Sequence, residues 1–251
     1  MVVRRVPIGH GWQWVVQAFT LFRRNPLIWI VLTLGLMLIA LAGGMLPVIG
    51  MYIVYLFSPL LLGGLMSACR DAQAGRAIEI GHLFAGFQRN ASQLVTVGGV
   101  YLVGNVAIAG VALALGGAEL REAMDAALQG TPEAIRPEVA NKASLAVLFA
   151  AALFGPLAMA VWFAPALVML DEIPAPRALL LSLQACLANL LPFLLYGAVM
   201  LLLLLGATLL FFVGLALWMP IAVISTYTSY RDVFAPGIAP PGVTPPGVTP
   251  G

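Results

Sequence analysis

The feature that most limits how this chain can fold is where its charges are missing. Residues 26–69, 90–118, 144–170 and 178–230 contain no Asp, Glu, Lys or Arg. A soluble domain keeps its surface wet with roughly 25% charged residues. This chain of 251 residues carries 9%, against 62% hydrophobic residues and a mean hydropathy of +1.02. The bilayer must therefore act as the solvent for most of it.

The first uncharged stretch, as one helix, would run roughly 66 Å, about twice the thickness of a hydrocarbon core. It must fold back, and Gly43, Gly44, Pro47 and Gly50 mark the turn. The same argument applied along the chain predicts spans at about 27–46, 50–69, 94–116, 144–170, 191–211 and 213–230. The expected fold class is all-α: one polytopic membrane domain over 1–234 with six transmembrane helices. Residues 235–251 repeat Pro-Pro-Gly-Val-Thr twice and offer nothing to bury, so a disordered Pro/Gly-rich cytoplasmic tail is expected.

Loop charge sets the expected orientation. Arg4, Arg5, Arg23, Arg24, Arg70, Arg76, Arg89, Arg177 and Arg231 fall on one side of these spans, and only Arg121, Arg136 and Lys142 on the other. The positive-inside rule then places both termini in the cytoplasm of a bacterial inner membrane. No apolar segment with a small-residue cleavage site precedes Arg23, so the first span is expected to serve as its own insertion signal.

A repeat runs through the chain. Three amphipathic segments each end in Asn, at Asn25, Asn90 and Asn189; each precedes an apolar hairpin, and each hairpin exits at an acid, Asp71, Asp171 or Asp232. Pro59 precedes Arg70 by the same distance as Pro220 precedes Arg231. Unit two departs, lacking the exit Arg and splitting its hairpin with a polar loop. In the first amphipathic segment Trp12, Val15, Val16, Phe19 and Phe22 oppose Gln13, Gln17, Thr20 and Arg24 at helical spacing. In the second, Ile80, Leu83, Phe84 and Phe87 oppose Glu79, His82 and Arg89. The third, around Leu179, Leu180, Leu183 and Leu187, is weaker. Such helices are expected to lie along the cytoplasmic membrane surface.

The stretch Gly64-Leu65-Met66-Ser67-Ala68-Cys69-Arg70, continuing through Gly75-Arg76 to Leu83-Phe84-Ala85-Gly86-Phe87, resembles a family of bacterial six-helix inner-membrane proteins for which no reaction is established. That family is distantly similar to the membrane domain attached to some glycerophosphoryl diester phosphodiesterases. The resemblance covers roughly residues 10–234 and implies fold and location. It carries over no catalytic residue, because that enzyme's chemistry sits in a soluble domain absent here.

Few residues have the makings of chemistry. His10 and His82 are the only histidines, and neither sits in a His-x-x-Glu-His or Cys-x-x-Cys setting. Cys69 and Cys186 are too far apart for a metal knuckle and read as small buried hydrophobes. No catalytic, metal or cofactor site is expected, and no basic patch with interleaved aromatics points to nucleic acid. Charges are absent from span centres, which disfavours a proton-coupled pump.

Asn105, flanked by Gly98, Gly99, Gly104 and Gly110, is the most polar residue inside a span. It reads either as an interhelical hydrogen bond at a close crossing or as a pore-lining group beside Tyr101. Gly63 with Ser67, Gly64 with Ala68 and Ala160 with Ala164 offer small-residue faces for packing. Pro59, Pro156, Pro165 and Pro220 each remove a hydrogen bond inside a span. Arg70 and Arg231 are membrane anchors on the plain reading and contacts to a lipid phosphate on the sharper one. The polar excursion at 118–142, with Leu120, Met124 and Leu128 on one helical face, reads as a cap on the outer surface or a docking point for an envelope partner.

Three classes of function stay open. A non-enzymatic accessory or structural protein, organising membrane lipids or another membrane or envelope protein or a second copy of itself, ranks first. A transporter or permease for a lipidic or uncharged small molecule ranks second. A membrane enzyme would need Arg70, Asp71, Arg231 and Asp232 to converge.

Overall fold

The computed structural model describes residues 2–46, 49–129, 136–209 and 211–234. The expected 235–251 tail and the loop at 130–135 lie outside them. Among the described residues the secondary structure is entirely helical: α1 (His10–Phe22), α2 (Pro26–Gly44), α3 (Ile49–Gln73), a 3-10 turn (Ile80–Phe84) running into the short α4 (Ala85–Gln88), α5 (Ala91–Leu128), α6 (Pro137–Trp162), α7 (Ala164–Asp171), α8 (Ala175–Ala188), α9 (Leu190–Leu209) and α10 (Phe211–Val233). Proline opens several of them, at Pro26, Pro137, Pro165 and Pro176, where its missing N–H leaves no gap in the ladder.

Among the described residues five helical stretches are long and apolar enough to cross a bilayer: Pro26–Gly44, Ile49–Gln73, Ala91–Ala126, Pro137–Asp171 and Leu190–Leu209. α10 (Phe211–Val233) has an uncharged apolar first half and a second half richer in Ser, Thr and Tyr. It runs back antiparallel along α9. The Trp218 indole N–H donates to the Met200 carbonyl, Gly214 abuts Ala207, and Tyr196 hydrogen-bonds Ser225 at 2.8 Å. The α10 hydroxyls face inward: Ser225, Thr228 and Ser229 are buried. Ser225 and Ser229 also donate to the carbonyls of Ala222 and Thr226 in their own helix.

The expected 144–170 span lies within the single apolar stretch Pro137–Asp171, which is divided into two helices. α6 starts earlier, at Pro137, and the chain breaks at Phe163 before α7. Pro165, expected inside a span, lies in the first turn of α7. Pro59, Pro156 and Pro220 do lie inside helices. α5 runs far beyond 116, but its helix breaks at Gly117, whose φ of 53° a residue with a Cβ rarely adopts. The segment after it, through Leu128, is a second helix set off by that kink. The ends of α5 and α6 stay paired through Lys142 to Glu119 at 2.7 Å and Arg136 to Glu122 at 3.4 Å, around Leu120, Ala143 and Ala146.

Helix contacts are made by small residues. α3 and α5 cross where Gly98 meets the Leu56 backbone, with Leu94 against Gly63 and Tyr55 edge-on to Tyr101 at 5.2 Å. Gly64 lies against the His82 and Leu83 carbonyls, and Gly86 against Leu60. The big apolar side chains of α9, among them Leu191, Leu194, Leu202 and Leu209, point outward, as expected where lipid is as apolar as leucine.

A Cβ on Gly98 would strike the Leu56 carbonyl, whereas one on Gly99 meets nothing within 4 Å. Gly98→Ala is expected to destabilise the detergent-solubilised protein by about 1 to 3 kcal/mol, and Gly99→Ala to leave it unchanged or slightly stabler. Thermal unfolding midpoints of the two variants check this.

Candidate functional site

Both ends of the described chain meet at one end of the helix bundle. The backbone N–H of Arg4 donates to the Val233 carbonyl at 2.9 Å. Asn189, 1% exposed, grips the same arm: Oδ1 accepts from the Val6 N–H at 2.8 Å, and Nδ2 donates to the carbonyls of Arg4 and Ala185, both at 2.9 Å. The chain's three entry asparagines serve different ends. Asn90 takes φ 55°, a left-handed conformation asparagine tolerates, and its Nδ2 donates to the Val168 carbonyl. Asn25 precedes α2 without a side-chain cap bond.

The exit acids gather at this terminal end. Asp232 Oδ2 accepts from the Trp14 indole N–H at 2.8 Å and lies 2.7 Å from His10 Nδ1. Asp71 pairs with Arg76 and, at 3.1 Å, with His82 Nε2. Asp171 accepts a hydrogen bond from the Tyr230 hydroxyl. Each acid thus joins elements distant in sequence or pins the loop beyond its helix.

Trp14, absent from the expected apolar face of α1, is its anchor. It is fully buried against Phe193 and Tyr196 of α9, and its backbone carbonyl accepts from Thr228. The buried side of α1 is Gly11, Trp14, Val15, Ala18, Leu21 and Phe22, while Trp12, Val16 and Phe19 are turned outward. The helix is apolar on two sides, so a single expected stripe merged them. In α8 the buried stripe is Ala178, Ser182, Ala185 and Cys186, while Leu180 and Leu187 of the expected apolar face are exposed.

Between α1, α3 and α10 lies an open cleft of about 460 Å³. Gln17, Thr20 and Arg24 line it from α1, Gln73 from α3, and Tyr227, Thr228, Arg231 and Asp232 from α10. The Tyr227 hydroxyl donates to Gln73 Oε1 at 2.8 Å, bracing one wall. Arg24 and Arg231 make no ion pair with any described residue. Of the four residues whose convergence would mark an enzyme, Arg231 and Asp232 line this cleft. Asp71 is turned to Arg76 and His82. Arg70 lies in the last turn of α3, and its buried Nε has no hydrogen-bond partner among the described residues. Arg24 was not singled out by sequence because one more arginine beside a first span reads as a topology signal.

Asn105 sits elsewhere, half-buried in α5, and its Nδ2 donates to the Tyr101 carbonyl of its own helix at 2.8 Å. Among the described residues its side chain bonds within its own helix, and it does not line the cleft. Cys69 and Cys186 are both buried and unpaired with each other. No group of three metal-capable side chains occurs among the described residues.

Removing the Asp232 carboxylate leaves two buried-side donors without their acceptor, a loss of about 1 to 3 kcal/mol. Asp232→Ala is expected to speed hydrogen exchange of α1 backbone amides while leaving α5 and α6 unchanged. Mass-spectrometric exchange on the solubilised protein reads this directly.

No family model matches the chain, and no solved structure matches it. It is 34% identical over 214 residues to a probable inner membrane protein of Burkholderia thailandensis, an alignment covering 83% of this chain and 78% of that protein. With its several long apolar helices, the chain belongs to the family of that inner membrane protein and is itself an integral, multi-pass protein of the inner membrane.

Proposed function

We propose that this protein is a non-enzymatic accessory component of the inner membrane that organises lipids or partner proteins, built from six spans in three quasi-repeated hairpins with both termini cytoplasmic. One observation carries the reading: the side chains able to do chemistry are committed to joining one element to the next. Asp71, at the exit of the first hairpin, holds His82 of the second entry segment. Asp232, at the exit of the third, holds His10 and Trp14 of the first. α1 packs on α9 and α10, the segment at 80–88 on α3, and α8 on α6 and α7. Each entry segment so rests on the hairpin before it, and α1 rests on the last. Asp171 bonds Tyr230 instead of α8, matching the departure of unit two from the repeat.

The entry segments carry large apolar side chains outward, Trp12 and Phe19 on α1 and Ile80, Phe84 and Phe87 on the second, which suits helices lying in the membrane interface. α10 serves as the sixth span in this reading. Its hydroxyls are satisfied within the protein, so its modest hydropathy does not bar it from the bilayer. The distant likeness to the phosphodiesterase membrane domain bears on fold alone.

The alternative, a transporter for a lipidic or uncharged molecule, draws on the broken and kinked helices. The break at Phe163 weighs against it. The freed groups there are already met by Ser182 of α8, fully buried, which accepts from the Phe163 N–H at 2.9 Å and donates to the Met159 carbonyl at 2.6 Å.

Native mass spectrometry of the detergent-extracted protein is expected to find a co-purifying lipid or protein, and vesicles reconstituted with it should pass solutes no faster than empty ones. Solute movement without any co-purifying partner would favour the transporter and overturn this reading. For the topology, a reporter inserted after Gln129 is expected to read outside and one at Gly251 inside; the reverse result contradicts the orientation.

A further inference from the structure

We infer that the cleft between α1, α3 and α10 seats the headgroup of an anionic phospholipid of the cytoplasmic leaflet, its acyl chain lying along the outer face of α2. The inference rests on the membrane placement proposed above and names the ligand class.

The polar part of the argument is charge. Arg24 and Arg231 both open into the cleft and neither is paired with a described acid. One acid, Asp232, lines the cleft, and its Oδ2 is already engaged by His10 and Trp14. Asp71, at the end of α3, is engaged by Arg76 and His82. The arginines therefore retain positive charge for an incoming anion, and guanidinium groups favour phosphate through paired N–H donors. Gln17 and Thr20 supply neutral polar groups on the same wall. The volume falls within the roughly 300 to 1,000 Å³ typical of small-molecule clefts.

The apolar part is continuity. Arg24 also borders a second groove, of about 370 Å³, lined by Leu27, Ile28 and Val31 of α2 and by Ile80. A polar, cationic cleft and an apolar groove thus meet at one arginine. A free phosphate would use only the first; a phospholipid uses both, with the phosphate at the helix ends and a chain descending beside α2. Cationic pockets at the cytoplasmic face of membrane helices are the expected form of such sites.

The test exchanges the protein into micelles holding equal phosphatidylglycerol and phosphatidylcholine and counts retained lipid by native mass spectrometry. The wild-type protein should retain phosphatidylglycerol over phosphatidylcholine by about tenfold, equivalent to about 1.4 kcal/mol. The double variant Arg24→Gln/Arg231→Gln should lose most of that preference. The control Arg121→Gln/Arg136→Gln, equal in charge change but at the other end of the bundle, should keep it. Arg24→Lys/Arg231→Lys retains charge and should keep a preference intermediate between the two, separating loss of charge from loss of fold; an unchanged thermal midpoint in each variant secures the comparison. Equal retention of the two lipids, or a preference untouched in the Gln double variant, overturns the site. Displacement of phosphatidylglycerol by millimolar inorganic phosphate assigns the cleft to a free anion and overturns the lipid. Such failures leave the topology reporters and any co-purifying protein to judge the broader reading separately.

Discussion

Within a bilayer no water is present to take up a spare backbone N–H or carbonyl, and this constraint governs the whole molecule. It accounts for a described chain made only of helices, and for what happens where a helix stops or bends. At the Phe163 break the orphaned groups are taken up by Ser182, a buried hydroxyl of α8. At the chain's start, an arm with no helix of its own is held by Asn189 and by the Val233 carbonyl. Buried hydroxyls within regular helix, such as Thr33, Ser67 and Ser225, are satisfied by carbonyls of their own helix.

The second organising fact is that apolar area does not pull these helices together. Lipid solvates leucine as well as a protein core does, so packing falls to residues small enough to let backbones touch. Gly50 against Gly43, Gly98 against Leu56, Gly64 against His82 and Leu83, Gly86 against Leu60 and Gly11 against Pro192 are close approaches between elements. α8 makes the point most plainly, burying alanine, serine and cysteine while its leucines at 180 and 187 face out.

At the terminal end, where helices leave the apolar layer, charge takes over. The acids Asp71, Asp171 and Asp232 tie helix ends to segments far along the chain, through His82, Tyr230, His10 and Trp14. With those acids committed, Arg24 and Arg231 are left facing a shared cleft. The site is thus a by-product of how the fold is locked, a surplus of cations where the anionic ones are already spoken for.

Much of this was readable in the residues alone. Charge-free runs dictate membrane helices because no soluble surface can be made from them, and Gly and Pro place the turns close to where α2 gives way to α3 and α9 to α10. The exit acids and entry asparagines were visible as a pattern. What the pattern could not carry was which face packs, since hydrophobicity is uninformative in lipid: hence Trp14 escaped notice, as did the Ala178, Ser182 and Ala185 stripe that α8 buries. Nor could spacing foresee that Asn105 bonds its own helix, that Phe163 breaks a span, or that Arg231 meets Arg24 rather than Arg70 across a cleft. Local chemistry fixes that this chain enters a membrane and roughly where it turns; which side chains meet is decided by three-dimensional closure, because those partners lie up to 222 residues apart in the chain, as His10 and Asp232 do.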